Sequence, residues 1–443
     1  LVWRPTMQNL DPVITGILIV GMALMLSAAL LADRVLKSRL SPLESCLVFP
    51  LAWTAIEYGR SFIESSGSHG SLADSQVGWL PVKQVASVAG LWGITFLVAS
   101  FAPVANLILD AALNPEKRKR ARLPAIAFAC LLVASLAFGF ARQPIDASRE
   151  RAVGAGNAAG TGAKSFRVAT ITKMSTVTEF AAIYGQGAFK PLADYGALIE
   201  HYSAKAAAGG AKVLLWQEYF FQIPEEKKPE LLALLESAAS RYGIYEIAGI
   251  TLYDPPPRKA SRNTAVIIDP RGALAVDYAK KHLVVGIETS CMLSGNGVMQ
   301  AIDTEWGRWT LAICYENDFP AFVAQAGRMG ADTLFMPTLD WPGLVPFHSY
   351  MSVFRGIENG CAIVKCAGYG LTLVADRYGR IVASEDDTKT DGTLFFADVP
   401  ARGEKTLYAA TGDAFAWLAI VSLTFVIVRA VKRKKEREFR VAR

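Results

Sequence analysis

Long apolar runs occupy the first third and the end of the chain. Five of these runs are about 20 residues long, which is the length that a helix needs to cross a hydrocarbon core. They predict membrane-spanning helices at roughly Val13–Ala32, Cys46–Ile63, Gln84–Leu109, Leu123–Ala141 and Ala414–Val431. The pattern therefore places about four spans in residues 1–142 and a last span with a basic tail in residues 403–443.

Between these two ends, the runs become short. Residues 143–164 are rich in Gly, Ala and Arg, which predicts a flexible linker. From residue 165 to 402, short apolar segments such as KVLLW and WTLAIC predict strands, and helix-like segments alternate with them. The predicted helices cover Leu192–Ala208, Lys228–Tyr242, Phe319–Met329 and His348–Asn359. This alternation predicts a single α/β domain.

The composition agrees with a membrane protein, since 52% of the 443 residues are hydrophobic and only 19% are charged. These fractions exclude a disordered chain and an ordinary water-soluble enzyme. The six cysteines are too few for a disulfide scaffold, and no Cys/His cluster has the spacing of a zinc site. We therefore expect neither a metal nor a cofactor.

The net charge of +6 suggests a nucleic-acid partner until the positions of the basic residues are considered. These residues cluster at 34–39, 117–122 and 429–437, whereas residues 64–82 contain neither Lys nor Arg. The positive-inside rule places the three clusters in the cytoplasm. The N-terminus and the middle domain then lie outside the cytoplasm and the C-terminus lies inside, so we expect a membrane rather than a nucleic acid as partner.

Three residues at the ends of apolar segments form a candidate catalytic set. Glu218 ends KVLLWQE, Lys280 stands in DYAKKHL, and Cys314 ends the strand WTLAIC before a predicted helix. We expect the Cys314 thiol to be exposed and its thiolate to be favoured by nearby helix N–H groups. A carboxylate can act as general base and an ammonium can stabilise an oxyanion, so the set predicts acyl transfer.

The segments WQE, Y-x-K-x-H-L and ICYE followed by FP resemble the three catalytic motifs of the nitrilase, or carbon–nitrogen hydrolase, superfamily. FRGIENGCAIVKCAGYG is similar to the segment that follows the nucleophile in that superfamily. The resemblance implies a nitrilase-like αββα sandwich over about residues 166–399, inserted between transmembrane helices. It also implies that Glu218 is the general base, Lys280 the oxyanion stabiliser and Cys314 the nucleophile.

The membrane part resembles that of the bacterial apolipoprotein N-acyltransferase family in the segments AIEYGRSF and DSQVGWLPVKQVASVAGLWGITFLV. This resemblance implies an integral protein of the bacterial inner membrane with a periplasmic catalytic domain. It implies a phospholipid as acyl donor, a thioester intermediate, and a lipoprotein or another amine as acceptor. It also leads us to expect spans before Val13, in a chain that begins with Leu rather than Met.

Further residues are candidates for supporting roles in the catalytic domain. The resemblance implies that Glu288 and Glu316 lie near the site. We expect His282 to shape the site rather than to take part in the reaction. The backbone N–H of Tyr315, directly after the nucleophile, is a candidate donor to the oxyanion.

The predicted second span contains the two ionisable residues Glu57 and Arg60, three positions apart on one helix face. Charged groups at membrane depth are costly and are often functional. They are either a structural pair or, together with Gln76, groups that shape the side from which a lipid enters.

Two other functions remain open from the sequence. A membrane-anchored nitrilase-like amidase or hydrolase is favoured by the short interval between Lys280 and Cys314 and by the Phe319-Pro320 pair. The second alternative is a non-catalytic membrane partner of a lipid-linked glycosyltransferase. The complete Glu/Lys/Cys set argues against this alternative.

Overall fold

The computed structural model describes residues 12–63, 67–143, 165–171, 190–254, 261–390 and 394–441. The chain divides into two compact units, Leu1–Gln143 with Thr411–Arg443, and Pro144–Ala410. Apart from Gln143, the predicted linker lies outside the described residues.

The α-helices follow one another along the described residues, and most of the long ones belong to the first unit. They are α1 (Pro12–Leu36), α2 (Pro42–Arg60), α3 (Leu80–Lys83), α4 (Ala86–Leu113), α5 (Arg118–Arg142), α6 (Leu192–Ala208), α7 (Lys228–Tyr242), α8 (Pro320–Arg328), α9 (Phe347–Asn359), α10 (Leu407–Thr411) and α11 (Ala414–Val441).

Within the described ranges, four helices are long and apolar enough to cross a membrane: Ile19–Arg39, Ala86–Leu113, Pro115–Arg142 and Ala414–Glu436. They correspond to four of the five predicted spans. The remaining predicted span, Cys46–Ile63, lies on α2, which is shorter and carries three charged residues. These charges lower its hydropathy, so its place in the membrane stays a prediction.

Helix α2 nevertheless packs against α1, α4 and α11. It begins at Pro42 because the Ser41 hydroxyl caps the Glu44 N–H while the Glu44 carboxylate accepts the Ser41 N–H. Glu44 also lies 3.0 Å from the guanidinium of Arg429 and 2.8 Å from that of Arg433. The start of α2 and the basic end of α11 therefore lie on the same side of the bundle, as the five-span assignment requires.

The buried Glu57 carboxylate on α2 is a hydrogen-bond hub. It accepts from Trp53 Nε1 at 2.8 Å, Ser71 Oγ at 2.6 Å, the Leu72 N–H at 2.8 Å and Thr95 Oγ1 at 2.8 Å. These bonds tie α2 to α4 and to the segment after α2, which favours the structural interpretation of Glu57.

We expect Glu57→Ala to lower the free energy of unfolding by about 3 kcal/mol, because buried donors lose an acceptor. Thermal unfolding in detergent would measure this loss, and Glu57→Gln, which keeps one acceptor oxygen, should recover part of it. A variant with wild-type stability but reduced activity would contradict the structural role.

Arg60 and Gln76 lie in the same unit as Glu57. Arg60 is buried near the end of α2, and Gln76 donates to Ser75 Oγ at 2.9 Å. Their part in lipid entry stays a prediction.

The second unit is built on two β-sheets. The strands are β1 (Ser165–Ile171), β2 (Val213–Leu215), β3 (Phe221–Pro224), β4 (Tyr245–Tyr253), β5 (Ser261–Ile268), β6 (Leu274–Ala279), β7 (Ala301–Thr304), β8 (Gly307–Leu311), β9 (Thr333–Leu339), β10 (Ala362–Gly368), β11 (Leu371–Ala375), β12 (Ile381–Asp386) and β13 (Leu394–Pro400). The first sheet has the order β13-β1-β2-β4-β5-β6, with β3 paired to β4, and the second has the order β12-β11-β10-β9-β8-β7.

The inner faces of the two sheets pack on each other through aromatic rings. The ring centroids of Phe166 on β1 and Tyr245 on β4 each lie 4.8 Å from that of Trp309 on β8. Helices α6 and α7 cover the first sheet, and α9 packs on β10 and β11 of the second. The unit is thus the αββα sandwich that the sequence motifs implied.

Candidate active site

The three predicted catalytic residues converge in the second unit. Glu218 follows β2, Lys280 follows β6 and Cys314 follows β8, so each stands just beyond the end of a strand. All three side chains are buried. The sandwich brings together residues that are 62 and 96 positions away from Glu218 in the chain.

The Lys280 ammonium lies between two carboxylates. Its Nζ is 2.8 Å from Oε1 of Glu218 and 2.8 Å from Oε2 of Glu288. The structure thus brings the predicted supporting residue Glu288 into direct contact with the lysine. The side-chain amide of Asn263 joins the two acids, donating to Glu218 Oε1 at 2.6 Å and to Glu288 Oε1 at 2.9 Å.

The last residue of β9 connects the acid to the thiol. The Leu339 N–H donates to Glu218 Oε2 at 2.8 Å, and the Leu339 carbonyl oxygen lies 3.7 Å from Cys314 Sγ. One residue, Leu339, therefore contacts both the Glu218 carboxylate and the Cys314 thiol through its backbone. Each hydrogen-bond partner named here for Glu218 is a donor, so the surrounding groups hold this carboxylate as an acceptor.

The pKa values of the two acids are shifted in opposite directions. Burial raises the pKa of Glu218, and the neighbouring Lys280 only partly offsets this effect. The pKa of Glu288 is also raised by burial, but Lys280, the Tyr219 hydroxyl and the Val284 N–H together bring it below the ordinary value. Glu288 is therefore the permanent counter-ion of the lysine, and Glu218 is the acid that can exchange a proton.

The two carboxylates also act on the lysine. Burial opposes its charge, but Glu218 and Glu288 raise the pKa of Lys280 well above the ordinary value. Lys280 is therefore a permanent cation at neutral pH, as a group that stabilises an oxyanion must be.

Cys314 is buried, whereas the sequence predicted an exposed thiol. The expected exposure is wrong, because its turn is enclosed by β9 and α9 and only 7% of the residue is accessible. Burial raises the pKa of the thiol well above its usual value, and this outweighs any effect of helix N–H groups. The thiol is therefore protonated at rest and needs a base.

Both ends of the Glu218–Cys314 pair stand on strained backbone. Cys314 has φ 48°, and Tyr219, directly after the acid, has φ 60°. Residues other than glycine adopt this left-handed region at a cost and persist there when the surrounding structure holds them.

Glu316, another predicted supporting residue, lies at the turn that carries the nucleophile and does not contact the Lys280 ammonium in the way that Glu288 does. Glu316 accepts the N–H of Ile313 at 2.8 Å and the N–H of Lys281 at 2.6 Å, and it bonds the Tyr278 hydroxyl. It therefore ties the cysteine turn to the lysine segment. Burial raises its pKa to about 7.

His282 and Tyr315 both pack on the ring of Phe319. The His282 ring stacks on it at 4.0 Å between centroids, and the Tyr315 ring meets it edge-on at 5.2 Å. His282 thus packs on a ring next to the nucleophile turn, and its site-shaping role stays a prediction. Whether the Tyr315 N–H reaches an oxyanion stays a prediction.

A second buried ionic network on the other side of the thiol was not predicted. His348, at the start of α9, places Nδ1 2.5 Å from Oδ1 of Asp340 and Nε2 3.2 Å from Oδ1 of Asp318. The Lys365 Nζ on β10 lies 3.3 Å from Oδ2 of Asp340 and 3.0 Å from His348 Nδ1. A polar residue inside an apolar segment could have indicated each of these contacts: Lys365 in CAIVKC for this network, and Asn263 in β5 for the cluster around Lys280.

This network includes the one group of possible metal ligands among the described residues. Cys314, Asp340 and His348 bring donor atoms within 4.8 Å of one another. The donor set fits a metal poorly, because Lys365 places a buried ammonium 3.0 Å from His348 Nδ1, which already contacts Asp340. A cation would be repelled by the ammonium and would compete for an acid that is already paired.

Known protein families match both the membrane part and the α/β part of the chain. The carbon–nitrogen hydrolase family model matches residues 181–406, and the model of the apolipoprotein N-acyltransferase N-terminal domain matches residues 2–104. The apolipoprotein N-acyltransferase of Geobacter metallireducens is 26% identical over 418 residues, which cover 87% of this chain and 74% of the relative. That of Bradyrhizobium diazoefficiens is 28% identical over 383 residues, covering 80% and 67%.

Amidases match a smaller share of the chain. The 2-oxoglutaramate amidase of Bacillus subtilis is 26% identical over 174 residues, which cover 37% of this chain and 65% of the relative. Among solved structures, an amidase from Nesterenkonia is 20% identical with a TM-score of 0.44, covering 57% of this chain and 95% of the amidase.

Proposed function

The chain belongs to the carbon–nitrogen hydrolase family, and from this membership we propose that it is a membrane N-acyltransferase that carries the acyl group on Cys314. The observation that carries the proposal is the buried contact set in which the Lys280 ammonium lies 2.8 Å from the Glu218 carboxylate and Leu339 contacts both that carboxylate and the Cys314 thiol. This set supplies a nucleophile, a base and an oxyanion donor in one place.

In the first half-reaction, Glu218 takes the proton of the Cys314 thiol, and the thiolate attacks the ester carbonyl of a phospholipid. The Lys280 ammonium stabilises the negative charge that develops on the carbonyl oxygen. The carbon–oxygen bond of the ester then breaks, and Glu218 returns the proton to the lysophospholipid that leaves. The acyl chain remains on Cys314 as a thioester.

In the second half-reaction, the amine of the acceptor attacks the thioester. Glu218 takes a proton from the attacking nitrogen, and Lys280 again stabilises the oxyanion. The carbon–sulfur bond breaks, the proton returns to the Cys314 sulfur, and an amide is released. One base and one oxyanion donor therefore serve both steps, because each step is a nucleophilic attack on an acyl carbonyl that takes one proton from the nucleophile and returns one to the leaving group.

The membrane part favours this function over that of an amidase. The two N-acyltransferases match across both units, whereas the 2-oxoglutaramate amidase matches only part of the chain. The four apolar helices suit a donor that resides in a bilayer. The phospholipid donor, the lipoprotein or other amine acceptor, and the periplasmic position of the catalytic unit in the bacterial inner membrane belong to the proposal.

The fate of the acyl group tests the proposal. We expect the purified protein to form a hydroxylamine-sensitive adduct from a phospholipid with a labelled acyl chain. A synthetic peptide with an N-terminal S-diacylglyceryl-cysteine should then receive the label as an amide, at a rate at least about tenfold above its release as free fatty acid. Thin-layer chromatography and mass spectrometry would separate the two products.

The same peptide with an acetylated N-terminus is the matched control, because it keeps the lipid but lacks the nucleophilic amine. Transfer to the acetylated peptide, or release of free acid at the same rate with and without acceptor, would contradict the proposal. Rapid release of ammonia from small amides without an acyl-lipid adduct would favour the amidase reading.

A further inference from the structure

We propose that His348, held between Asp318 and Asp340, is a positioning residue that keeps Cys314 aligned with Glu218. The inference rests on the proposed thioester function. It assigns a role to a buried network that the two half-reactions above do not use.

The imidazole of His348 joins two segments through two acids. Asp318 closes the short turn that begins at Cys314, and its carboxylate lies 3.2 Å from His348 Nε2. Asp340 directly follows β9, and its carboxylate lies 2.5 Å from His348 Nδ1. The side-chain amide of Asn317, in the same turn, also donates to the His348 backbone carbonyl at 3.3 Å. His348 therefore fixes the cysteine turn to the end of β9.

The end of β9 contacts both the thiol and its base. Leu339 contacts Glu218 through its N–H and faces Cys314 Sγ with its carbonyl oxygen. Asp340 is the next residue, so a contact that holds Asp340 also holds these two backbone groups. A shift of the cysteine turn relative to β9 would lengthen the path of the proton from Cys314 to Glu218.

The charged groups of the network balance one another. The titratable groups that face His348 are Asp318 and Cys314 on the nucleophile turn, Asp340 after β9, and Lys365 on β10. Two carboxylates, one imidazolium and one ammonium together carry no net charge, so the buried set is balanced only while His348 is protonated.

The pKa values agree with this state. Burial and the charge of Lys365 lower the pKa of His348, but Asp340 and Asp318 together more than compensate, and the result is about 9. Burial raises the pKa of Asp340, but His348 and Lys365 bring it down to about 2. Because the pKa of His348 is raised, the positioning contact is complete at neutral pH and is lost as the pH rises through about 9.

The test is the pH dependence of thioester formation by the full chain in detergent, with a labelled phospholipid and an acid quench. We expect the wild-type rate to be constant near neutral pH and to fall with a midpoint near the His348 pKa of about 9. Lys280 does not produce this fall, because its pKa is well above its ordinary value. His348→Gln should be slower at neutral pH by about tenfold to a hundredfold and should lack the alkaline fall.

Asp318→Asn is the second variant, and it remains informative if His348→Gln does not fold. It removes one of the two acids that raise the His348 pKa, so the alkaline fall should move to lower pH. A merely structural role would not move this midpoint. The inference is overturned if the midpoint stays in place in Asp318→Asn, or if His348→Gln retains the wild-type profile. Glu246→Gln, a buried acid bonded to Ser203 and Trp216, serves as control.

The inference can be separated from the proposed function. If wild-type protein forms no thioester with phospholipid, the proposed function fails, and alkylation of Cys314 by iodoacetamide becomes the readout. The alkylation rate at neutral pH should then be at least about fivefold lower in folded His348→Gln, because the thiol no longer faces its base. Equal alkylation rates in the two folded proteins would overturn the inference.

Discussion

Replacing Cys314 by alanine abolishes the acyl-enzyme, and steady-state amide formation falls by roughly 10⁴-fold or more. The reason is that both half-reactions pass through the same sulfur. Among the residues that the structure describes, the hydrogen-bond partners given above for the Glu218 and Lys280 side chains are Asn263, Glu288, Leu339 and each other, none of which offers a hydroxyl or a thiol there. Incubation with labelled phospholipid, followed by gel separation with and without hydroxylamine, measures the adduct directly.

Cys361→Ala is the matched control for this loss. Cys361 is also a buried cysteine, and burial raises its pKa to about 12, but it stands before β10 rather than at the strand end that faces Glu218. We expect its variant to form the adduct at the wild-type rate. A hydroxylamine-sensitive adduct in Cys314→Ala, or in Cys314→Ser, would refute a thioester on Cys314. An unchanged cellular phenotype in Cys314→Ala would favour the scaffold function.

Replacing Glu218 by glutamine lowers the rate of thioester formation by about 10³-fold, because the thiol loses its base. The substitution keeps the shape of the side chain and one carbonyl oxygen for the Leu339 N–H or the Lys280 ammonium. Burial raises the pKa of Cys314, so little thiolate forms without Glu218 at neutral pH. A rapid-quench measurement of the first acyl transfer isolates this step from product release.

Glu246→Gln is the matched control here as well. Glu246 is fully buried, and burial raises its pKa to about 8, yet its carboxylate bonds Ser203 and Trp216. If both variants lose the same activity, the effect reflects loss of a buried acid rather than loss of a base. If Glu218→Gln acylates Cys314 at the wild-type rate, Glu218 does not have the assigned role.

The pattern of apolar positions predicted most of the central strands and the helices that cover them. Segments such as KVLLW and DTLFMPT lie inside a sheet and are apolar on both faces, so they stand out in the chain. The strands β3, β6, β7, β12 and β13 were not predicted. The last four lie at sheet edges and consist mostly of exposed or half-buried residues, and β3 has only four residues, so little in the local pattern marks these strands.

The long helices of the membrane part, α2 among them, were predicted from the same signal, but α2 is less apolar than the four helices that could cross a membrane. Helix α2 is less apolar because it carries Glu57, whose carboxylate accepts four hydrogen bonds from neighbouring groups. The carboxylate lowers the hydropathy of the helix, although in the folded bundle hydrogen-bond donors surround it. The sequence alone could not distinguish a structural hub from a functional charge.

By itself, the sequence determined the kind of chemistry. Glu218, Lys280 and Cys314 stand at the ends of apolar segments, and strand ends meet in a sandwich, so their convergence followed from local pattern and motif. Only the tertiary structure decided the state of each group. Cys314 is buried rather than exposed, Glu288 neutralises the lysine, and His348 bridges the two segments that hold thiol and base. Burial and pairing arise between residues distant in the chain, and they set pKa values that no local pattern contains.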